Sequence, residues 1–179
     1  MFEKIGFSNA IIQEKKVVYR NKWSKLIKTS FTHLGSDKAI YTTDFGNRSS
    51  VILLKKESIL LVKQFRLLID DYSWEIPGGK VEESETFEDA AIRECLEETG
   101  YKCNRLQEAI FFHPGLDTLH NPTKVFHCSD FHESKSFEDK NHETMAIEWF
   151  TKEKLKRLLN DNFFKDSLTI IALQNLFLK

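Results

Sequence analysis

The chain is short of the residues that staple, span or strongly charge a protein. Its three cysteines, Cys95, Cys103 and Cys128, include no CxxC pair. An odd, scattered set argues against a disulfide framework and against a thiolate zinc site, so reduced thiols are expected, with Cys95 in the core. No window approaches the ~20 apolar residues of a membrane span. The opening MFEKIGFSNAIIQEKK has no apolar run followed by a small-residue cleavage site, and a cytoplasmic protein with no membrane partner is expected. Neither sign of charge dominates: 27 acidic residues oppose 26 basic ones. That balance leaves no global field to attract nucleic acid, and any anion must be held locally.

Backbone punctuation is equally scarce, with seven glycines and three prolines in 179 residues. Four of these ten, Pro77, Gly78, Gly79 and Gly100, bracket one acidic segment, and Pro114-Gly115 follows soon after. Glycine and proline are placed where loops need special dihedrals, so the segment they bracket is the first candidate for function.

What the chain does have is 41% hydrophobic and 30% charged residues, the balance of a single soluble domain with a real core. From Val17 to Phe45 it is rich in β-branched and aromatic residues, with Trp23, Ile27, Thr29, Phe31 and His33 at odd positions and a turn at HLGSD. This predicts an N-terminal antiparallel β-meander over residues 1–45. SVILL and SILLVKQF read as two buried strands joined at Lys55-Lys56-Glu57. After the acidic segment, EAIFFH, TKVFHCSDF and MAIEWF read as strands, and residues 152–160 and 167–178 as helices. His127, Cys128 and His132 therefore fall in a strand and turn, and a zinc site there is disfavoured.

The acidic segment reads as a helix opened by Thr86, with Asp89 three residues on, and closed by Gly100 in the left-handed conformation. At ~100° per residue, Ile92, Cys95, Leu96 and Thr99 share one side, while Glu94, Glu97 and Glu98 cluster on the other. Like charges at this spacing destabilise a helix by roughly 0.2–0.5 kcal/mol, and carboxylates in the last turn oppose the helix dipole at a further ~0.3–1 kcal/mol. A divalent cation reverses both penalties, and oxygen ligands favour Mg²⁺ or Mn²⁺.

Gly79, Glu85, Arg93-Glu94, Glu97-Glu98 and Gly100 together resemble the Nudix box of the Nudix hydrolases. LVKQFR and SWEIPGG resemble the preceding strand and loop of the branch that cleaves ADP-ribose and nucleotide sugars. The resemblance implies a Nudix fold, an α/β/α sandwich with a mixed β-sheet, over residues 46–179. It also implies a homodimer formed through the N-terminal meander, and hydrolysis of a nucleoside diphosphate linked to a second group. Glu94 and Glu98 would be the main magnesium ligands, Glu97 a further ligand or supporting group, and the Gly78 carbonyl a backbone ligand; Glu85 and Arg93 would brace the loop and helix. Two departures bear on the substrate. Ser84 replaces a frequent glycine, and Pro77-Gly78-Gly79 stands where ADP-ribose pyrophosphatases usually carry Pro-Ala-Gly. The expected substrates are accordingly nucleoside-diphosphate sugars as a class, with ADP-ribose the leading member. A triphosphate or damaged-nucleotide pyrophosphohydrolase and a non-catalytic ligand sensor are the alternatives.

Outside the box, Arg66 is the expected cation for the diphosphate, because a guanidinium fork suits phosphate oxygens. Trp74 and Glu75 are candidates for ribose or base, with core packing an equal reading for Trp74. Pro114 and Gly115 open a loop placed for specificity. The branch takes its general base from a loop before the last strand, which points to Glu143 ahead of Glu138, Asp139 and His142.

Overall fold

The computed structural model describes residues 10–134 and 144–178. The chain divides into two compact units, one of residues 1–46 with 115–121 and one of residues 47–114 with 122–179.

The smaller unit is a four-stranded sheet in the order β1 (Ile11–Arg20), β2 (Lys25–His33), β3 (Ser36–Asp44), β9 (Leu119–His120). The first three strands form the antiparallel meander, and β9 joins β3 in parallel. The meander starts at Ile11, six residues before the β-branched stretch that announced it. Trp23 does not continue the strand periodicity: it sits in a turn where the Asn21 carboxamide accepts the N–H groups of Trp23 and Ser24, both at 2.8 Å. An Asx turn at that position competes with the ladder and wins. Every residue of β1 is exposed.

The larger unit carries a seven-stranded mixed sheet. Its main path runs β11 (Thr144–Thr151), β5 (Ser58–Arg66), β4 (Arg48–Lys55), β10 (Thr123–Glu133), β8 (Tyr101–Phe112). The short strands β6 (Asp71–Glu75) and β7 (Gly78–Lys80) pair with β5 and β4. The β4–β10 pair is parallel and its neighbours are antiparallel. Residues 51–53 and 59–62 are apolar without interruption and wholly buried, as a strand covered on both faces requires. One face packs Ile52, Ile59 and Leu61 against Leu155 of α2 (Lys152–Asn160) and Leu168, Ala172 and Leu173 of α3 (Ser167–Phe177). The other packs Val51, Leu53 and Leu60 against α1 (Phe87–Thr99).

β8 begins at Tyr101, directly after the helix, and so extends seven residues upstream of the EAIFFH stretch. Residues 101–107 mix polar and apolar side chains, and their pairing with β10 outweighs that weak local signal. Cys95, Cys103 and Cys128 are free and buried in the α1-side core, with the Cys95 and Cys103 sulfurs 3.7 Å apart. Among the described residues, no helix is long and apolar enough to cross a membrane.

Candidate active site

Helix α1 is fixed at both ends by its own sequence. Thr86 and Asp89 form a reciprocal capping box: the Thr86 hydroxyl accepts the Asp89 N–H at 3.1 Å, and the Asp89 carboxylate accepts the Thr86 N–H at 3.2 Å. Gly100 ends the helix at φ 76°, donating its N–H to Leu96. The buried stripe is Ala90, Ala91, Cys95 and Thr99, whereas Ile92 and Leu96, expected on the inner side, are only partly covered. Small residues in the stripe let the helix lie close to the sheet, where the Ser49 hydroxyl donates to the Phe87 carbonyl at 2.6 Å.

Close approach brings the acidic face to the glycine loop. The Gly78 N–H donates to Glu98 Oε2 at 2.9 Å, and the buried Gln64 carboxamide donates to Oε1. Burial pushes the Glu98 carboxyl up to about 7, against the lowering effect of the Gly78 bond, and the neighbouring Glu94 charge adds to the rise. Glu94 is likewise raised by burial, offset in part by Arg93. A Cβ on Gly79 would stand 2.4 Å from the Glu94 carboxylate, so glycine is what leaves room for that group. At Gly78 a Cβ would meet the Ser50 hydroxyl at 2.0 Å and the Ser49 carbonyl at 2.4 Å. Backbone contact there is tighter than any side chain allows.

Arg93 is the hub of the outer face. Its Nε and Nη2 donate to the two Glu85 oxygens at 2.7 and 2.9 Å, Nη2 also donates to the Lys80 carbonyl, and Nη1 reaches Glu94 at 2.8 Å and Glu97 at 3.4 Å. The fork holds the Glu85 carboxyl down at about 2 and raises the guanidinium in turn. Glu85 also accepts the Glu82 N–H at 3.0 Å, pinning the loop ahead of the helix. Loop and helix are tied together by one arginine.

The three carboxylates do not form a finished cage. Glu98 points inward, Glu94 lies against Gly79 and Arg93, and Glu97 is half exposed. Among the described residues, no three Cys, His, Asp or Glu side chains stand assembled around a metal position. An all-oxygen pair of largely covered carboxylates beside the Gly78-Gly79 loop is nevertheless a donor set that fits a hard divalent cation such as Mg²⁺, which takes one or two carboxylates and completes its shell with water and substrate phosphates.

The remaining candidates divide. Arg66 forks onto Glu75 through Nε at 2.8 Å and through Nη2, and Glu75 is buried. The Glu75 bonds raise the guanidinium further, and Glu98 lies within its electrostatic reach. Arg66 and Glu75 line an open cavity of about 330 Å³ with Leu67, Ile69, Ser73 and Lys165. Trp74 packs edge-on against Phe150 at 5.0 Å and lies partly buried beside the α3-side core. Pro114 and Gly115 fall on opposite sides of the division between the two units, and Gly115 bridges to Leu119 within the smaller one. Glu143, with Glu138, Asp139 and His142, lies outside the described residues. Gln64 and Arg48 are not singled out by sequence reasoning; a glutamine two residues beyond the apolar run 59–62, on the same strand face as Leu60 and Val62, is the signal available for the first.

Residues 45–171 match the NUDIX domain family. The chain is 32% identical over 137 residues to a mouse ADP-sugar pyrophosphatase, covering 67% of this chain and 63% of that protein. It is 34% identical over 151 residues to an ADP-ribose pyrophosphatase of Bacillus subtilis, covering 82% and 74%. In three dimensions it is similar to a crystal structure of an ADP compounds hydrolase, with a TM-score of 0.81, 14% identity, and coverage of 96% of this chain and 94% of that one. The chain belongs to the NUDIX family of hydrolases, in the branch of the ADP-ribose and ADP-sugar pyrophosphatases.

Proposed function

We propose that this protein hydrolyses the diphosphate linkage of ADP-ribose or another nucleoside-diphosphate sugar, releasing a nucleoside monophosphate and a sugar phosphate, with Mg²⁺ as its metal and Mn²⁺ as a substitute. The observation that carries the reading is the meeting of two largely covered carboxylates, Glu94 and Glu98, with the glycine loop at Gly78 and Gly79. Burial raises both carboxyls from their ordinary values, so a cation between them would relieve a cost already built into the fold. Glu94, Glu98, Glu97 and the Gly78 carbonyl are the residues that would hold it. Bound there, a divalent ion neutralises charge on the diphosphate and favours an attacking water.

The chain's own groups do the rest. Gln64 and the Gly78 N–H fix the direction of the Glu98 carboxylate; Arg93, anchored by Glu85, fixes that of Glu94. Arg66 offers its remaining guanidinium edge to phosphate while Glu75 holds its orientation. Carboxylates committed to a metal are poor proton acceptors, and Glu143 supplies the general base. Pro114 and Gly115 contribute to substrate selection.

A homodimer through residues 1–45 belongs to the same proposal. It is supported by Ile11, Ile12, Val17, Val18 and Tyr19, all exposed on the edge strand of the smaller sheet. Sedimentation at micromolar concentration should show a dimer, and monomer alone would remove this part of the proposal.

The reading is tested on a panel of ADP-ribose, other nucleotide sugars, dinucleotides and triphosphates with Mg²⁺ present and chelated. Metal-dependent release of nucleoside monophosphate from a nucleotide sugar is expected. Preference for a triphosphate would move the chain to the triphosphate class, and binding without turnover would mark a sensor.

A further inference from the structure

Three arginines stand around the acidic helix, and two of them are forked onto carboxylates. Arg93 makes five hydrogen bonds to Glu85, Glu94, Glu97 and the Lys80 carbonyl. Arg66 is forked onto Glu75. Arg48, the first residue of β4, is different. Among the described residues its side chain makes one long hydrogen bond, from Nη2 to the Gly78 carbonyl at 3.4 Å, and its Nε is buried without a partner.

The position follows from the strand register. β4 pairs with β7 so that Arg48 faces Lys80 and Ser50 faces Gly78, which sets Arg48 beside the loop that holds Glu98. Its charge acts on Glu94 and on Glu98, so the guanidinium lies within electrostatic reach of both carboxylates. A guanidinium carries five N–H donors in a planar fork, and apart from the one long bond the Nη groups of the half-buried Arg48 meet no protein acceptor among the described residues. Attraction to the two carboxylates alone explains why it stays; it does not explain the unmade bonds. Two phosphate groups brought to this loop by a metal would supply the missing acceptors.

We propose that Arg48 is a substrate-binding residue whose guanidinium takes oxygens of the diphosphate beside Gly78. The assignment rests on the pyrophosphohydrolase reading and adds to it a second phosphate cation, one with more uncommitted donors than Arg66.

The test uses the full chain with Arg48→Met and Arg48→Lys. Affinity for the non-hydrolysable α,β-methylene analogue of ADP-ribose is measured by calorimetry with Mg²⁺, and Mn²⁺ affinity is measured separately without nucleotide by electron paramagnetic resonance. Losing a charge-assisted hydrogen bond to phosphate should weaken the analogue about 10- to 100-fold in Arg48→Met, with partial recovery in Arg48→Lys. Mn²⁺ should bind both variants at least as tightly as wild type, because a neighbouring cation has been removed or kept. Analogue affinity within twofold of wild type would overturn the assignment. So would a parallel loss of Mn²⁺ affinity, which would make Arg48 a support of the carboxylates instead. If the wild-type chain binds no analogue while still binding Mn²⁺, the substrate reading itself fails and the assignment falls with it.

Discussion

Replacing Glu98 by glutamine separates the needs of the fold from those of the chemistry. In metal-free protein the Glu98 carboxyl is raised from 4.5 to about 7, chiefly by burial. A raised value means the folded state holds the proton more tightly than the unfolded one. The associated stability is therefore complete below about 4.5 and is lost as pH rises through about 7. At pH 8 the charged carboxylate costs at most ~3.4 kcal/mol, taking ~1.4 kcal/mol for each pH unit between the unfolded and folded values. Glutamine removes that cost but gives up part of two hydrogen bonds, from Gln64 and from the Gly78 N–H, at ~1 kcal/mol or somewhat more. The balance is a gain of about 1–2 kcal/mol at pH 8, or a rise in Tm of roughly 3–6 °C for a chain of this size. At pH 5 wild type and variant should melt close together. Scanning calorimetry in chelator at the two pH values measures this, and turnover in saturating Mg²⁺, expected to fall ~10²-fold or more, measures the other half. A variant less stable than wild type at pH 8, or one keeping most of its activity, would refute the assignment of Glu98 as a buried metal ligand.

Other substitutions probe the surrounding framework. Glu85→Gln should lose about 1–2 kcal/mol by breaking a bidentate pair near solvent. Because Arg93 holds that carboxyl at about 2, the loss should be present above about pH 4.5 and fade as pH falls toward 2, which urea unfolding at pH 6 and pH 3 can follow. Gly78→Ala should destabilise by about 2–4 kcal/mol, since the added methyl meets the Ser49 carbonyl and the Ser50 backbone; a thermal melt within 2 °C of wild type would contradict the close approach. Glu143→Gln should bind Mg²⁺ and substrate nearly as wild type yet lower kcat by ~10²- to 10⁴-fold. A loss below fivefold, with Glu138→Gln much worse, would transfer the role of base to Glu138.

The elements legible in the sequence are those whose signals are local. Thr86 with Asp89 and Gly100 mark both ends of α1, and each performs the capping its chemistry allows. The apolar runs at residues 51–53 and 59–62 announce strands buried on both faces, and they lie in the middle of the larger sheet. Less legible are elements made by pairing alone. β7 is three residues with two glycines, and nothing in Gly78-Gly79-Lys80 favours a strand until β4 lies beside it. β9, two residues long, exists because β3 offers it an edge.

The same division runs through the candidate site. Periodicity places Glu94, Glu97 and Glu98 on one side of a helix, but a helical wheel shows direction and not depth. Depth comes from Ala90, Ala91 and Cys95, whose small side chains let α1 sink toward β4 until Glu98 meets the Gly78 N–H. At that depth the carboxylates acquire different surroundings: Gln64 from β5 for Glu98, a close Arg93 contact for Glu94, and a longer Arg93 contact with half its side chain in solvent for Glu97. Three residues of identical chemistry thus become an inward-facing acid raised to about 7, a carboxylate clamped against glycine, and a half-exposed carboxylate. A sequence can state how many carboxylates a site has; which of them bears the desolvation is decided by the sheet underneath.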